Sequence, residues 1–187
     1  MSITREEAII LLNQYIKKEN MLNHCLASEA VMKAIAKRLG KNEEKWGLAG
    51  LLHDLDVEIV NADPKIHGLE SAKILSEKNV DEDIIDAIKM HNKAATGIER
   101  HTDFQHALAA GETITGLIVA TTLVYPDKKL KSVKPKSVTK RMKQKAFAAK
   151  VSRENILECE KIGIPLNEFA ELCVNAMKEI SDNIGLG

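Results

Sequence analysis

The sequence predicts an all-α protein on three observations. Apolar residues recur at helical spacing in most segments, and residues typical of helix starts and ends separate these segments. No segment alternates apolar and polar residues over a length that would indicate a strand. The chain has 187 residues, of which 44% are hydrophobic, and this suffices for one domain with an extension.

Helix-capping residues mark the first two predicted helices, and glycines mark the third. Thr4 and Glu7 have the spacing of a capping box, so we expect a helix from there to about residue 18. Residues 20–23 are interpreted as a turn, in which Asn23 caps a second helix that ends near residue 39. A third helix is expected over about 42–54, where glycines at 47 and 50 indicate the close approach of a neighbouring helix.

The remaining predicted helices follow a loop over residues 56–66. Two short helices are expected over about 67–75 and 81–91, and an irregular loop around Gly97 follows them. Thr102 or Asp103 caps a long apolar helix that ends near residue 124, before Pro126. Three further helices are predicted over about 137–149, 152–162 and 166–184.

Composition excludes several classes of protein. The three cysteines have no CxxC spacing, so reduced thiols in a cytoplasmic protein are expected. The N-terminus does not have the pattern of a signal peptide, and the longest apolar stretch, 117–124, is too short to cross a membrane. Aromatic residues make up 3% of the chain, which argues against a stacking surface for single-stranded nucleic acid.

The histidines carry the strongest functional signal, because all six lie between residues 24 and 106. His53 and Asp54 are adjacent at the end of an apolar run, where neighbouring side chains of a helix diverge unless they meet on one small object such as a metal ion. A capped or solvated helix end explains one such pair equally well. Further metal-binding residue types lie on other predicted elements, namely His24, His67, His91 and Glu112. The ordered set therefore favours a metal site.

With these residues in this order, the chain resembles the HD-domain metal-dependent phosphohydrolases over about residues 20–125. The stretches that match are Leu51-Leu52-His53-Asp54, His67-Gly68 followed by Ser71-Ala72, and Ala87-Ile88 before His91-Asn92. The resemblance implies an HD-domain helical bundle that binds one or two divalent ions of Mn, Fe, Ni, Zn, Co or Mg. It places His24, His53, Asp54 and Glu112 at the catalytic metal, and His67 and His91 at the second metal of two-metal members. The family usually has Asp where this chain has Glu112.

The resemblance implies hydrolysis of a nucleotide or another small phosphoester, whereas the residues alone indicate metal-assisted hydrolysis. A divalent metal activates water and neutralises charge on a phosphoryl oxygen. Asp54 is expected to bridge two metals and to be catalytic together with Asp56, which would orient or deprotonate the water. Two other interpretations of Asp56 remain open, namely a solvated loop acid and a group that lies behind the metal ligands. His101 is expected to line the cleft, and His106 to lie near the site without ligating. The alternative is a metal-holding module that binds a nucleotide or second messenger without turnover.

A basic segment follows the predicted metal-binding core. Ten Lys or Arg residues and one acid lie between Pro126 and Lys150, although the net charge of the whole chain is zero. Lys140, Arg141 and Lys143 are expected to bind the substrate phosphate, and a solvated helix face is the competing interpretation. Nucleic-acid binding ranks below both. We expect one domain over 1–187, with the metal-binding core at 20–125 and the basic segment and C-terminal helices, 126–187, packed on it.

Overall fold

The computed structural model describes residues 3–187, and the described chain is all-α, as predicted. Met1 and Ser2, the first residues of the expected domain, lie outside the described residues. The helices are α1 (Arg5–Tyr15), α2 (Glu19–Arg38), α3 (Glu43–Leu52), α4 (Leu69–Ser76), α5 (Glu82–His91), α6 (Lys93–Thr96), α7 (Asp103–Leu123), α8 (Pro135–Met142), α9 (Arg153–Leu157) and α10 (Leu166–Glu179). Short 3-10 helices cover Leu130–Ser132 and Glu158–Ile162.

Several helix starts agree with their predicted caps. Thr4 and Glu7 form both hydrogen bonds of a capping box at the start of α1, and Thr102 forms another with Gln105 at the start of α7. The third helix begins close to Asn42 as expected, and Asn42, for which no cap was predicted, caps it: its side-chain oxygen accepts a hydrogen bond from the backbone N–H of Lys45 at 2.9 Å. A capping side chain bonds a backbone N–H of the first helical turn, which has no partner within the helix. Both groups are close in the sequence, so the caps at Thr4 and Thr102 could be predicted.

The start of α2 differs from the prediction. The helix begins at Glu19 instead of near Asn23, so residues 20–23 are helical and do not form a turn. The side-chain amide of Asn23 donates to the carbonyl of Ile184 at 3.3 Å, so this residue bonds a distant part of the chain and caps nothing. His24 consequently lies in the second turn of α2.

The region between α8 and α9 also differs from the predicted helix over 137–149. The helix ends at Met142, and turns follow as far as Val151. The Arg153 guanidinium donates to the carbonyls of Ala148 and Val151, each at 2.8 Å, and also to that of Phe147. Those carbonyls accept hydrogen bonds from a side chain instead of from the backbone N–H groups of a helix, which stabilises the turns.

Close packing of α2 on α3 brings together two of the elements that carry the candidate metal ligands. A Cβ atom at Gly50 of α3 would lie 2.4 Å from the carbonyl oxygen of Ser28 in α2, so only glycine fits between these backbones. This confirms the close approach predicted for the glycines of α3. The approach brings the end of α3 beside the first half of α2, where His24 lies.

The C-terminal helices contact the same helices that carry the site. α10 packs against α2, α7 and α8, while α9 and the following 3-10 helix pack against α7. Buried residues from both parts of the chain, such as Ile35 and Phe169, belong to one hydrophobic cluster. The division into domains stays a prediction. Within residues 3–187, none of the helices has the length and apolarity needed to cross a bilayer.

Candidate metal centre

Four histidines and two carboxylates meet between α2, α3, α5 and α7. His24 comes from α2, His53 and Asp54 follow α3 directly, and His91 is the last residue of α5. Their partners His67 and Glu112 come from the turns before α4 and from α7. The sequence-predicted ligands are therefore brought together from separate elements.

Ring nitrogens and carboxylate oxygens face one another at short distances. The Nε2 atoms of His24 and His53 lie 3.1 Å apart, and those of His67 and His91 also lie 3.1 Å apart. Within each of two triads, His24, His53 and Glu112 or Asp54, His67 and His91, the candidate ligand atoms all lie within 4.8 Å of one another. Atoms bound about 2.1 Å from one ion have mutual distances of about 3–4 Å, so each triad has the size of a metal site.

The carboxylate of Asp54 belongs to the second triad and also faces both histidines of the first. Its Oδ1 is 3.0 Å from Nε2 of His67 and 3.2 Å from Nε2 of His53, and its Oδ2 is 3.5 Å from Nε2 of His24. Oε2 of Glu112 lies 3.9 Å from the same nitrogen of His24. This arrangement suits a carboxylate shared by two ions.

The outward nitrogen of each imidazole is already bonded. Nδ1 of His53 donates to the carbonyl of Gly50 (2.8 Å), and Nδ1 of His91 donates to the carbonyl of Ile88 (2.6 Å). Nδ1 of His67 donates to Asp56 (2.7 Å), and Nδ1 of His24 donates to the Thr115 hydroxyl oxygen (3.0 Å). The Thr115 hydroxyl itself donates to the carbonyl of Glu112 at 2.6 Å. With Nδ1 protonated, the Nε2 atom of every ring faces the cluster, and in the neutral ring this nitrogen has the lone pair that binds a metal. In His67, whose Nε2 lies 3.0 Å from Oδ1 of Asp54, a bound metal would replace the proton on Nε2. The residues therefore fit divalent metal ions.

A family model described as HD domain matches residues 21–122, which is more than half of the chain. The chain belongs to the HD-domain family. The searches of the curated proteins and of the solved structures gave no match. All six candidate ligands of this HD domain lie inside the matched residues, as the sequence resemblance implied.

Burial and neighbouring charges separate the pKa values in this HD-domain cluster. Burial lowers the pKa of His53 to about 4 and that of His91 to about 3, so both rings are neutral near pH 7. Burial opposes ionisation of Asp54, but the surrounding imidazoles hold the pKa of this carboxyl well below its usual range. Burial also opposes the charge on His67, yet hydrogen bonds to Asp54 and Asp56 raise its pKa to about 10.

Glu112 differs electrostatically from the other carboxylates of the site. Burial, against the opposing hydrogen bond from Thr113, raises the pKa of Glu112 to about 8. A cation bound beside it would favour the ionised form, because an opposite charge at close range lowers a carboxyl pKa. Asn155 donates to the Thr113 hydroxyl at 3.4 Å, so the C-terminal part of the chain supports this ligand indirectly.

Asp56 is buried behind a candidate ligand. The residue is 0% exposed, so the interpretation as a solvated loop acid is wrong. One carboxylate oxygen accepts from His67, and the other accepts from the backbone N–H groups of Gly68 at 2.8 Å and Ser71 at 3.0 Å. These contacts orient His67. A role for Asp56 in orienting or deprotonating water stays a prediction.

Sequence reasoning missed a buried Arg–Glu pair that fixes the end of α5. The Arg100 guanidinium donates to the carbonyls of Met90 and His91 and, at 2.7 Å, to Glu158. His106 donates to the second oxygen of Glu158 at 2.8 Å, which agrees with its expected place near the site without ligation. No local motif marks this network, since Glu158 lies 58 residues from Arg100 and 52 residues from His106 along the chain.

A cavity of about 270 Å³ opens beside His24 and Glu112. Lys150, Ser152 and Asn155 line its other side. The three expected phosphate-binding residues, Lys140, Arg141 and Lys143, do not line this cavity, and the Arg141 guanidinium packs over the Phe147 ring at 4.3 Å from its centroid. His101 does not line it either. Lys150 is therefore the residue of the basic segment that the fold brings to this opening.

Proposed function

We propose that the protein is a divalent-metal-dependent phosphohydrolase that acts on a nucleotide or another small phosphoester. The observation that carries this proposal is the convergence of four Nε2 atoms on Asp54 while every Nδ1 is bonded outward. Membership in the HD-domain family supports the same class of reaction.

The chain's residues divide the work of binding. His24, His53, Asp54 and Glu112 would hold one metal, and His67 and His91 would hold a second that shares Asp54. Imidazole nitrogens and carboxylate oxygens suit Mn, Fe, Co, Ni and Zn. Such a metal, when bound, supplies Lewis acidity toward the phosphoryl group and toward water.

Lys150 would bind the substrate phosphate at the mouth of the site. It lies in the same cavity lining as His24 and Glu112, and an ammonium group there is complementary to a phosphate dianion. Phosphate binding by Lys140, Arg141 and Lys143 stays a prediction, which the contacts described above do not support.

The competing proposal is a metal-holding module that binds a nucleotide or second messenger without turnover. One observation favours it: both oxygens of Asp56 are engaged by His67, Gly68 and Ser71, so Asp56 is not free as a general base. The two proposals differ in whether product appears.

The discriminating experiment combines metal analysis with a turnover assay. Protein purified without chelator should contain divalent metal, and added Mn²⁺ should support hydrolysis of bis(4-nitrophenyl) phosphate or of a member of a nucleotide panel. Removal of the metal should abolish turnover, and its return should restore it. Binding of nucleotides without hydrolysis of any substrate would favour the module, whereas full activity after metal removal would contradict both proposals.

We further expect a cytoplasmic location. Cys25, Cys159 and Cys173 are all buried free thiols, which suits a reducing compartment. The expected partner is a small phosphorylated molecule, and neither a membrane nor nucleic acid is part of the proposal.

A further inference from the structure

A second cavity, of about 380 Å³, lies beside His24 and runs between α2 and α7. We call it the apolar groove; its walls include Met21, Ala27, Val119, Ala120, Leu123 and Leu186. His24 and Gly116 line both this groove and the cavity that contains Lys150. The two openings therefore adjoin at one candidate metal ligand, His24.

The spacing of residues on α7 shows how the groove wall is built. Gly116, Val119, Ala120 and Leu123 recur at intervals of three and four residues, so they form one stripe on the helix. Leu123 at its outer end is 51% exposed. Small residues at 116 and 120 leave the space, and the larger apolar residues border it.

The groove offers few groups that could recognise a nucleobase or a ribose. Apart from His24 at its inner end, no residue in its lining carries a titratable side chain. The amide of Asn23 already donates to the carbonyl of Ile184, and the Thr115 hydroxyl already bonds His24 and the Glu112 carbonyl. Asn20 also lines the groove, but its side chain is exposed to water, so one amide remains for a polar ligand. A nucleoside buried there would lose hydrogen bonds to water without replacing most of them, at a free-energy cost that an aliphatic chain avoids.

We propose that the apolar groove binds the organic group of a phosphomonoester with an aliphatic chain, while its phosphate lies between the metal ligands and Lys150. This inference rests on the proposed function and narrows its substrate class. In the reaction, water adds its oxygen to phosphorus and the bond from phosphorus to the ester oxygen breaks. One proton of the water passes to the departing oxygen, so the products are an aliphatic alcohol and inorganic phosphate.

Binding can be tested apart from turnover with n-alkylphosphonates, whose phosphorus–carbon bond is not hydrolysed. The Mn²⁺-loaded full chain is titrated calorimetrically with methyl-, butyl-, hexyl- and octylphosphonate and, for comparison, with AMP and UMP. We expect the dissociation constant to fall about two- to fourfold for each added methylene until the groove is filled. Both nucleotides should bind more weakly than octylphosphonate.

Two neighbouring residues at the end of α7 provide a matched pair of variants. Leu123 lines the groove and is 51% exposed, whereas Val124 is 54% exposed and is not part of its lining. Leu123→Asp should flatten the dependence on chain length and leave metal content and methylphosphonate binding unchanged. Val124→Asp introduces the same charge beside it and should behave as the parent.

The outcomes separate this inference from the proposed function. Affinity that is independent of chain length, tighter binding of AMP or UMP than of octylphosphonate, or equal effects of the two Asp variants would overturn the inference. Hydrolysis of ethyl and octyl phosphate at equal kcat/KM would overturn it too, while leaving the hydrolase proposal in place. Chain-length-dependent binding would support the groove assignment even if no alkyl phosphate were hydrolysed, and the hydrolase proposal would fall only if bis(4-nitrophenyl) phosphate and the nucleotide panel were not hydrolysed either.

Discussion

The family-matched region, residues 21–122, and the chain that follows it contribute to the site in different ways. The first region contains all six candidate metal ligands and the Asp56 carboxylate behind them. The second contains Lys150, Asn155 and Leu186, which line the two openings, and Glu158, which holds Arg100. The family-matched region thus contains the candidate metal ligands and most of the lining of the apolar groove, whereas the later chain adds single residues at the two openings.

The largest effect should follow from removing Asp54, whose carboxylate lies close to the Nε2 atoms of all four histidines. Asp54→Ala should abolish metal retention and hydrolysis together, because four imidazole nitrogens lose the carboxylate they share. Metal analysis and the phosphoester assay check this. Asp63→Ala, at an exposed acid in the following turns, is the matched control. Full metal occupancy in Asp54→Ala would refute the site assignment.

The double variant His67→Ala, His91→Ala should reduce the metal content without eliminating it. Because His24, His53, Asp54 and Glu112 remain, we expect a drop from about two ions per chain to about one, and a strong loss of activity. Metal content per folded chain is the measurement, with His101→Ala as the control. A parent chain that never exceeds one ion in excess Mn²⁺ would contradict the two-metal arrangement.

Substitutions at Glu112 test the departure of this chain from the usual family residue. Glu112→Asp should keep measurable activity, since a carboxylate remains within reach of the metal, whereas Glu112→Gln should lose most of it because the charge is gone. The kcat of the two variants at saturating Mn²⁺ decides the matter. Equal activity of Glu112→Gln and the parent would show that Glu112 is not a ligand.

Asp56 acts on the metal only through His67 in the contacts observed. Asp56→Asn should weaken metal affinity about 10- to 100-fold, the usual effect of removing a group that orients a metal-bound histidine. Saturating metal should then restore much of the activity. If saturating metal restores none, Asp56 contributes directly to the chemistry, as the sequence interpretation proposed. Asp63→Asn again serves as the control.

The smallest effect should appear in the C-terminal region. Lys150→Ala should raise KM for a phosphomonoester about two- to fivefold, the size expected for an exposed ion pair, and leave metal content and kcat unchanged. The triple variant Lys140→Ala, Arg141→Ala, Lys143→Ala is the comparison, since none of these residues lines the cavity. If the triple variant raised KM more than Lys150→Ala does, the result would support phosphate binding by Lys140, Arg141 and Lys143 instead of by Lys150.

The candidate metal ligands could be proposed from the sequence because their signal lies in their residue types and in their order along the chain. His53 and Asp54 are adjacent, and the other ligands are residue types that rarely occur inside apolar helices without a partner. Helix caps such as Thr4 with Glu7 were predictable for the same reason. Each of these features depends on neighbours along the chain or on side-chain chemistry alone.

The remaining features depend on contacts between distant segments. Asn23 has the side chain of a helix cap, yet it bonds Ile184, which is 161 residues away. The lysines of the basic segment are chemically equivalent in the sequence, and the turns held by Arg153 decide that Lys150 reaches the cavity. Local sequence patterns indicate neither the bonding partner of Asn23 nor which lysine lines the cavity.

Gly50 links helix packing to the orientation of a candidate ligand. Its missing side chain allows the backbone of α2 to pass at Ser28, and its carbonyl accepts the Nδ1 hydrogen bond of His53. A methyl group at this position would separate the two helices and thereby move His24 away from His53, although neither histidine had changed. A screen for inactive variants would therefore identify position 50 together with the candidate metal ligands. Loss of activity on substitution does not by itself distinguish a residue that binds metal from one that sets the distance between two helices.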